Sequence, residues 1–193
     1  MILQLVPQIK ANILKAHASL KSSSSGAAVA ILLVEREDEL NVLLIKKCSR
    51  EGYDWSGHMA FPGGRVEGQD ENLQETALRE MCEEVGICAQ SVEDIASLGV
   101  FRTHIQNLTV EAFVFLWRGT DEIVIHENEV EWTIEVPLNH FLAHHLKEGF
   151  HEKSPDELGF DLRYPIEKHI VWGLTANMLH TLLEALRGTL LDL

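Results

Sequence analysis

The sequence predicts a mixed α/β fold of the α+β type, in which a β-sheet is sandwiched between helices. Two runs of aliphatic and branched residues, at 27–34 and 40–47, are separated by a short charged segment and predict a strand hairpin. A helical pattern follows at about 72–85, and further strand-like runs come after it. Because strands flank this central helix and more helices come late, a single mixed sheet with helices on its faces accounts for the order.

The composition is that of a globular domain with an acidic surface. Of 193 residues, 46% are hydrophobic and 24% are charged, and the formal net charge is −14. This charge argues against sequence-independent binding to nucleic acid or to an anionic membrane. No apolar run approaches the ~20 residues that span a bilayer, and the first residues lack the pattern of a signal peptide. Three cysteines without a CxxC pair argue against a disulfide framework, so we expect a soluble, cytoplasmic protein.

The first segment predicts an amphipathic helix followed by a linker. Its apolar residues recur at helical spacing: Leu5, Ile9, Ile13 and Leu20. The Ser-rich run from Lys21 to Gly26 is the one obvious linker, so we divide the chain into residues 1–26 and a main domain of residues 27–193. We expect the helix to cover the core, with a partner-binding role as the alternative. The apolar helices at both ends make a homodimer possible.

The later elements alternate strands with helices. Strand-like runs occupy 97–103, 108–117 and 129–136, and a short helix begins near residue 137. A longer helix is predicted over 170–187, ending at Gly188, and we interpret Trp172 within it as a packing residue.

The central helix has one apolar stripe and a clear end. The apolar residues spaced four apart are Leu73, Ala77, Met81 and Val85. Gly86 follows and is a suitable carboxyl-terminal stop.

Three carboxylates crowd the last turns of this helix. Glu80, Glu83 and Glu84 stand at i, i+3 and i+4, so they share one face. Like charges at these spacings cost roughly 0.2–0.5 kcal/mol per pair, and the helix dipole disfavours acid at this end. A hard divalent cation reverses both penalties, and carboxylate ligands suit Mg²⁺ or Mn²⁺ better than zinc. A solvated acidic face is the alternative, but the Gly-Gly turn before the helix and the ending EEVGI favour a metal site.

The stretch FPGGRVEGQDENLQETALREMCEEVGI, residues 61–87, resembles the Nudix box. The pattern of that box is Gly, five residues, Glu, seven residues, then Arg-Glu-apolar-any-Glu-Glu-any-Gly-apolar. Residues 79–87 match its second half at every specified position, and seven residues separate Glu71 from Arg79. The front departs from the pattern, because six residues rather than five separate Gly64 from Glu71. We therefore expect the loop before the helix to be one residue longer.

The resemblance implies a Nudix fold and the metal-dependent hydrolysis of a diphosphate linked to another moiety. By the match, Glu80, Glu83 and Glu84 are the metal ligands, Gly64 belongs to the same metal site, and Glu83 and Glu84 are also assigned catalytic roles. Arg79 is assigned to catalysis as the residue that orients a neighbouring carboxylate. Glu71 is interpreted as a supporting acid.

A later loop offers a further acid. Many Nudix enzymes take another glutamate from such a loop as a ligand or base, and Glu129 in HENEVEWTIEVPL best resembles that position. We include Glu129 among the catalytic candidates, with a plain surface acid as the alternative.

The segment LLIKKCSREGYDWSGHMAFPGG resembles the extension found in coenzyme A pyrophosphatases of the Nudix family. In that extension two arginines precede a glycine and the Phe-Pro-Gly-Gly turn. Ser49 and Gly57 match it, whereas Cys48 and Tyr53 stand where the arginines are expected. The match to this branch is therefore partial.

Nearby cations supply the charge that the missing arginines leave out. Lys47, Arg50 and Arg65 are assigned to substrate binding, and with Lys46 they form the only basic concentration in an acidic chain. The Gly63 and Gly64 turn is assigned to the same role, because glycine lets the backbone approach a phosphate. A solubility role for these charges is the alternative.

The expected function is thus hydrolysis of a nucleotide-containing diphosphate with Mg²⁺ or Mn²⁺. The leading substrate is coenzyme A or acyl-CoA, which would give 3′,5′-ADP and a 4′-phosphopantetheine product. The alternatives are a hydrolase of ADP-ribose, dinucleotides or nucleotide sugars, and a non-catalytic nucleotide-sensing domain.

Overall fold

The computed structural model of the chain describes residues 6–17, 26–37, 39–49, 56–103, 108–119 and 122–191. In chain order, the helices and strands of these residues are α1 (Val6–His17), β1 (Ala27–Arg36), β2 (Glu39–Lys47), β3 (Met59–Ala60), β4 (Gly63–Arg65), α2 (Leu73–Val85), β5 (Val92–Arg102), β6 (Thr109–Trp117), β7 (Val130–Pro137), α3 (Leu138–Lys147), α4 (Pro155–Leu158), β8 (Arg163–Ile166), β9 (His169–Trp172) and α5 (Gly173–Leu191). Across this described part of the chain, no helix has the length and apolar character needed to cross a bilayer.

The main sheet is mixed, as predicted. Its strand order is β3-β2-β1-β6-β5, with β4 pairing to β1 and β7 pairing to β2. The neighbours β1 and β6 run parallel, whereas the pairs β1–β2, β2–β7 and β5–β6 are antiparallel. The predicted hairpin of β1 and β2 is therefore confirmed. The edge strand β5 begins at Val92, ahead of the predicted run at 97–103. Its first residues include the exposed acids Glu93 and Asp94, which interrupt the apolar alternation typical of a strand.

The two faces of the sheet support separate hydrophobic clusters. Along β2, Val42 and Leu44 belong to one cluster, and Leu43 and Ile45 belong to the other, as the alternation of side chains in a strand requires. The helix α2 packs on the second face through the predicted stripe, with Ala77, Met81 and Val85 fully buried. The helices α1, α3 and α5 and the β8–β9 hairpin contribute to the cluster on the first face. The predicted sheet sandwiched between helices is confirmed.

The amino-terminal helix covers the core. In α1, Val6, Ile9 and Ile13 are buried in the cluster of the first face, and the helix packs against β5 and α5. Leu5, Leu20 and residues 21–25 of the Ser-rich linker lie outside the described residues. The division of the chain at residue 26 therefore stays a prediction.

The helix predicted over 170–187 is wrong at both ends. Residues 169–172 form β9, which pairs with β8, and α5 continues through Gly188 to Leu191. The side chains of β9 alternate, so that Val171 is buried while Ile170 and Trp172 are exposed. Trp172 therefore lies outside the core, and its indole packs edge-on against His58 at 4.6 Å between ring centres.

Two of the three cysteines are paired, contrary to the sequence-based expectation. A disulfide joins Cys82 in α2 to Cys88, whose Cα atoms lie 4.4 Å apart. The pairing is possible because α2 ends at Gly86, where a φ of 74° turns the chain back along the helix. The cytoplasmic location was inferred partly from unpaired thiols, and it stays a prediction.

Candidate active site

The helix that carries the carboxylates is capped at both ends. The Asn72 side chain accepts a hydrogen bond from the Glu75 N–H at 3.0 Å, which begins α2. At the other end the Gly86 N–H donates to the Cys82 carbonyl at 3.0 Å. The helix therefore begins and ends where the sequence predicts.

The loop before β7 closes the carboxyl end of α2. Backbone N–H groups of Val124 and His126 donate to the carbonyls of the last two helix residues at 3.1 and 3.0 Å. Glycine permits this approach, because a Cβ at Gly86 would lie 3.2 Å from the Val124 Cβ and carbonyl oxygen. The loop that carries Glu129 is thereby fixed to the helix that carries the other acids.

Arg79 lies at the centre of a carboxylate cluster. Its Nε and Nη2 donate to the two carboxylate oxygens of Asp70 at 2.9 and 3.1 Å. Its Nη1 donates to Glu80 at 3.0 Å and to Glu83 at 3.1 Å. The hydrogen bond to Asp70, followed by the contacts with Glu80, raises the pKa of Arg79 above its ordinary value. The guanidinium thus bonds three acids at once, and the positioning role given to it in catalysis stays a prediction.

Asp70 is a member of this cluster that the sequence analysis missed. Besides Arg79, its carboxylate accepts hydrogen bonds from the Thr76 hydroxyl at 2.9 Å and the Glu67 N–H at 2.8 Å. The Arg79 guanidinium, more than these other donors, holds the pKa of Asp70 well below its usual range. The aspartate therefore ties the loop before α2 to the helix.

The supporting role given to Glu71 stays a prediction. Glu71 is exposed, and its backbone N–H donates to the Glu75 carboxylate at 2.9 Å. The sequence did contain a sign of Asp70, since five residues separate it from Gly64 as the Nudix box requires. The extra residue of this chain thus lies between the first acid of the box and Arg79.

Glu84 is the most buried acid of the site. One carboxylate oxygen accepts the Gly63 N–H at 2.9 Å, and the other forms an ion pair with the Lys47 ammonium group. Burial raises the pKa of Glu84, while Lys47 and the Gly63 N–H oppose that shift. The charge of Glu129 raises it further.

Gly64 makes room for the next acid of the helix. A Cβ at residue 64 would collide with the carboxylate of Glu80, so the Glu80 side chain packs directly against the backbone of β4. Burial is the main cause that raises the pKa of Glu80, and the contact with Arg79 opposes it. The glycine turn and the helix are therefore fitted to each other at this point.

The remaining acids of the site reach solvent. Glu83 projects from the exposed side of α2, and Glu129 is exposed on its loop, with His126 Nδ1 3.6 Å from its carboxylate. Over the described residues, no group of three or more His, Cys, Asp or Glu side chains is placed so that it could hold a metal ion. The predicted side-chain ligands are nevertheless of the type that a hard cation prefers, because they are all carboxylate oxygens, and the absence of a Cβ at Gly64 lets the Glu80 carboxylate lie against the backbone there.

A cavity of about 200 Å³ opens beside this cluster, between β1, β4, the start of β6 and the start of α5. The predicted substrate-binding residues Lys47, Gly63, Gly64 and Arg65 lie along one side of it. Apolar side chains such as Phe61, Leu174 and Met178 line much of the remainder. Arg50, the other predicted substrate-binding residue, lies outside the described residues.

Comparison with known proteins gives consistent matches. The profile of the NUDIX domain matches residues 24–157. A protein named uncharacterized Nudix hydrolase NudL, from Yersinia enterocolitica, is 32% identical over 170 residues, which cover 86% of this chain and 84% of the relative. Nudix hydrolase 3 of Caenorhabditis elegans is 31% identical over 189 residues, covering 88% of this chain and 78% of the relative.

A plant relative is considerably longer than the matched region. Nudix hydrolase 15, mitochondrial, from Arabidopsis thaliana is 30% identical over 162 residues, covering 79% of this chain. The chain spans only 55% of the length of that relative.

Solved structures show the same architecture. A binary complex of the Caenorhabditis elegans Ap4A hydrolase superposes with a TM-score of 0.50 at 16% identity, over 58% of this chain and 80% of that one. A MutT/nudix family protein from Enterococcus faecalis also gives a TM-score of 0.50 at 16% identity, over 92% of this chain and 69% of that one. At this identity the likeness concerns the fold alone, and it confirms the fold that the sequence predicts.

Proposed function

The chain belongs to the Nudix hydrolase family, and on that premise we propose that it hydrolyses a nucleotide-containing diphosphate at the carboxylate cluster of α2. The observation that carries the proposal is that Glu80 and Glu84 lie against the Gly63–Gly64 turn, which lines an open cavity, while Glu83 shares the Arg79 guanidinium with Glu80. Acids, a close-approaching backbone and a cavity are the three features that a metal-assisted phosphate reaction needs.

The three glutamates would hold Mg²⁺ or Mn²⁺, with the Gly64 carbonyl as a further oxygen ligand of the same hard type. When bound, such an ion neutralises phosphate charge and lowers the pKa of an attacking water. Arg79 positions two of these ligands, Glu80 and Glu83, through the hydrogen bonds described above.

The other groups of the site have distinct tasks in this proposal. The Gly63 N–H and Lys47 fix the orientation of the Glu84 carboxylate. Glu83 and Glu129 are the acids that solvent reaches, so we expect the proton of the attacking water to leave to one of them. Arg65, at the rim of the cavity, meets the negative charge of the incoming phosphates.

Coenzyme A or acyl-CoA is the proposed substrate. Support comes from the partial match of the segment before the box, and from the cavity, whose apolar lining suits an uncharged arm attached to a diphosphate. Water would break the phosphoanhydride bond, giving 3′,5′-ADP and 4′-phosphopantetheine. One product keeps the bridging oxygen, and the other gains the oxygen of the attacking water.

A second candidate is a hydrolase of ADP-ribose, dinucleotides or nucleotide sugars. Cys48, which stands at an arginine position of the coenzyme A pattern, favours it. The Cys48 N–H and thiol donate to the carbonyls of Glu129 and Glu127 at 2.9 and 3.4 Å, so this position anchors the loop and presents no charge. A non-catalytic sensor is less favoured, because the box acids of α2 are all present.

The test is hydrolysis by the purified chain with Mg²⁺, then Mn²⁺, against coenzyme A, dephospho-coenzyme A, ADP-ribose and a nucleotide sugar. The variants are E83Q, E84Q and E129Q, and E127Q is the matched control because Glu127 lies on the same loop. Metal-dependent release of 3′,5′-ADP that is lost in E84Q and kept in E127Q supports the proposal. Cleavage of the other substrates alone supports the second candidate, and tight binding without cleavage supports the sensor.

A homodimer is proposed as well. Leu14 on α1 and Leu191 at the end of α5 are exposed apolar side chains at the terminal helices. Light scattering coupled to size-exclusion chromatography measures the mass directly, and a mass of one chain at micromolar concentration would contradict the dimer.

A further inference from the structure

A second cavity, of about 450 Å³, lies across β3 from the one beside the α2 carboxylates. It is bounded by the end of β2, by β3 and by the β8–β9 hairpin, and we name it the hairpin groove. The two cavities share β3 as a wall, because Met59 borders the hairpin groove and the next residue, Ala60, borders the first cavity. The hairpin groove therefore neighbours the candidate active site.

Three cations line the hairpin groove in a chain whose net charge is −14. Lys46 comes from β2, Arg163 from the start of β8 and Lys168 from the turn between β8 and β9. Lys46 Nζ donates to the Gly57 carbonyl at 2.6 Å and lies 4.0 Å from the Glu131 carboxylate. Arg163 donates Nε to the Phe160 carbonyl at 2.9 Å, which uses one of the five N–H donors of its guanidinium group.

Large apolar side chains are exposed at the same place. Trp172 is 43% exposed, Ile170 is 46% exposed and Phe160 is 73% exposed, and all three border the hairpin groove. The indole of Trp172 is held by an edge contact with His58, at 4.6 Å between ring centres. A flat aromatic surface beside several cations suits a ligand that has both an aromatic ring and a phosphate.

Neighbouring residues of β2 connect this groove to the active site. Lys47 points to the α2 face, where it pairs with Glu84, whereas Lys46 points to the opposite face and borders the hairpin groove. A nucleotide that lies across the short strand β3 would therefore have its diphosphate beside the α2 acids and its nucleoside in the groove.

We propose that the hairpin groove binds the phosphorylated adenosine end of the substrate, with the base against Trp172 and the 3′-phosphate among Lys46, Arg163 and Lys168. The identity of that nucleoside rests on the proposed function. Cations that are distant in sequence thus supply the phosphate recognition that the arginine positions occupied by Cys48 and Tyr53 do not provide. The first cavity is left to the pantetheine arm.

Equilibrium binding without metal tests the groove separately from catalysis. Isothermal titration calorimetry in EDTA would compare 3′,5′-ADP with 5′-AMP on the full chain, on R163Q/K168Q and on W172A. The control K10Q/K147Q removes two exposed positive charges from α1 and α3. Because hydrogen bonds between charged groups are stronger than those between neutral groups, we expect R163Q/K168Q to bind 3′,5′-ADP at least about tenfold more weakly.

The roles of the cations and of Trp172 are distinguished by comparing how each variant binds the two ligands. R163Q/K168Q should lose the preference for 3′,5′-ADP over 5′-AMP, W172A should weaken both ligands alike, and W172F should retain most of the binding. The control should bind as the unmodified chain does, and the melting temperature of each variant verifies folding. Failure of the unmodified chain to bind 3′,5′-ADP, or equal binding by the chain and R163Q/K168Q, overturns the proposal.

The hydrolysis assay distinguishes this failure from failure of the proposed function. Hydrolysis of coenzyme A with an unchanged KM in R163Q/K168Q would reject the groove and keep the function. Weakened binding of 3′,5′-ADP by the same variant, in a chain that cleaves only other diphosphates, would keep the groove and reject the coenzyme A assignment.

Discussion

The buried ion pair between Lys47 and Glu84 allows a quantitative test of how the active site is built. Only 9% of the Lys47 side chain and 1% of the Glu84 side chain are exposed, so neither charge is hydrated when its partner is removed. Removing one member of a buried pair typically costs about 3–5 kcal/mol, because the other charge is left buried and uncompensated. Glu84 keeps the Gly63 N–H at 2.9 Å in the K47M variant, so we expect a loss near the lower limit, about 3 kcal/mol.

The double variant should restore part of that loss. In E84Q the ammonium group keeps the Gly63 carbonyl at 3.4 Å but loses its buried carboxylate partner, so the single variant should lose about 3–5 kcal/mol. K47M/E84Q removes both charges, and the two single effects should exceed the double effect by about 2–3 kcal/mol. The sign of this coupling follows from burial alone and needs no assumption about the substrate.

Urea denaturation in EDTA measures these free energies of unfolding, because chelation keeps metal binding to Glu84 out of the comparison. The matched control is R118M, which breaks the surface ion pairs of Arg118 with Glu93 at 2.8 Å and with Glu35 at 3.3 Å. An exposed pair of this kind contributes up to about 1 kcal/mol. Additive single effects, or a K47M loss as small as that of R118M, would refute the conclusion that Lys47 stabilises the buried Glu84 charge.

Three further predictions concern other parts of the molecule. D70N removes a negative partner of Arg79 and should lower kcat/KM about 10- to 100-fold in a steady-state assay. The control E71Q should leave kcat/KM near the unmodified value. Equal losses of kcat/KM in the two variants would contradict the assignment of Asp70. G86A should lower the free energy of unfolding by about 1–2 kcal/mol, because the residue has a φ of 74° beside Val124, and a urea midpoint equal to that of the unmodified chain would disprove it. Burial lowers the pKa of His145 below its ordinary value of 6.5, so the folded state binds this proton less readily than the unfolded state. Stability should therefore be complete above that pH and fall as the pH drops below it, and H145Q should show a shallower fall in the same denaturation series; parallel curves for the two proteins would count against it.

The central helix was predictable because several independent patterns agreed there. Its stripe, its Asn72 start and its Gly86 end all lie within one short segment, and local sequence determines each of them. The carboxylate face followed from helical spacing alone. Its partners did not, because Lys47 and the 122–129 loop are brought to it by the sheet.

The carboxyl-terminal region shows where pattern reading ends. The apolar sequence of α5 follows directly after Ile170, Val171 and Trp172. The sequence pattern therefore predicts one helix for the whole stretch. The chain changes direction at Gly173, whose φ is 61°, and this change separates β9 from α5. A single glycine within an apolar run does not by itself predict such a change of direction. The hairpin groove was therefore invisible in the sequence, since Lys46 and Arg163 meet only after the hairpin folds onto β3.

The acids at the end of α2 conflict with the local preferences of a helix, and the tertiary structure shows how that conflict is resolved. Arg79 bonds two of them, Lys47 neutralises the buried third, and N–H groups from the 122–129 loop occupy the helix carbonyls that would otherwise repel acid. Lys47 and this loop lie outside α2, so Glu84 and the end of the helix are held in place only when the domain is folded, whereas Arg79 bonds Glu80 and Glu83 from within the same helix. A cation that enters the cluster must therefore share carboxylate oxygens with Arg79 and Lys47, and those two residues set how tightly the site can bind it.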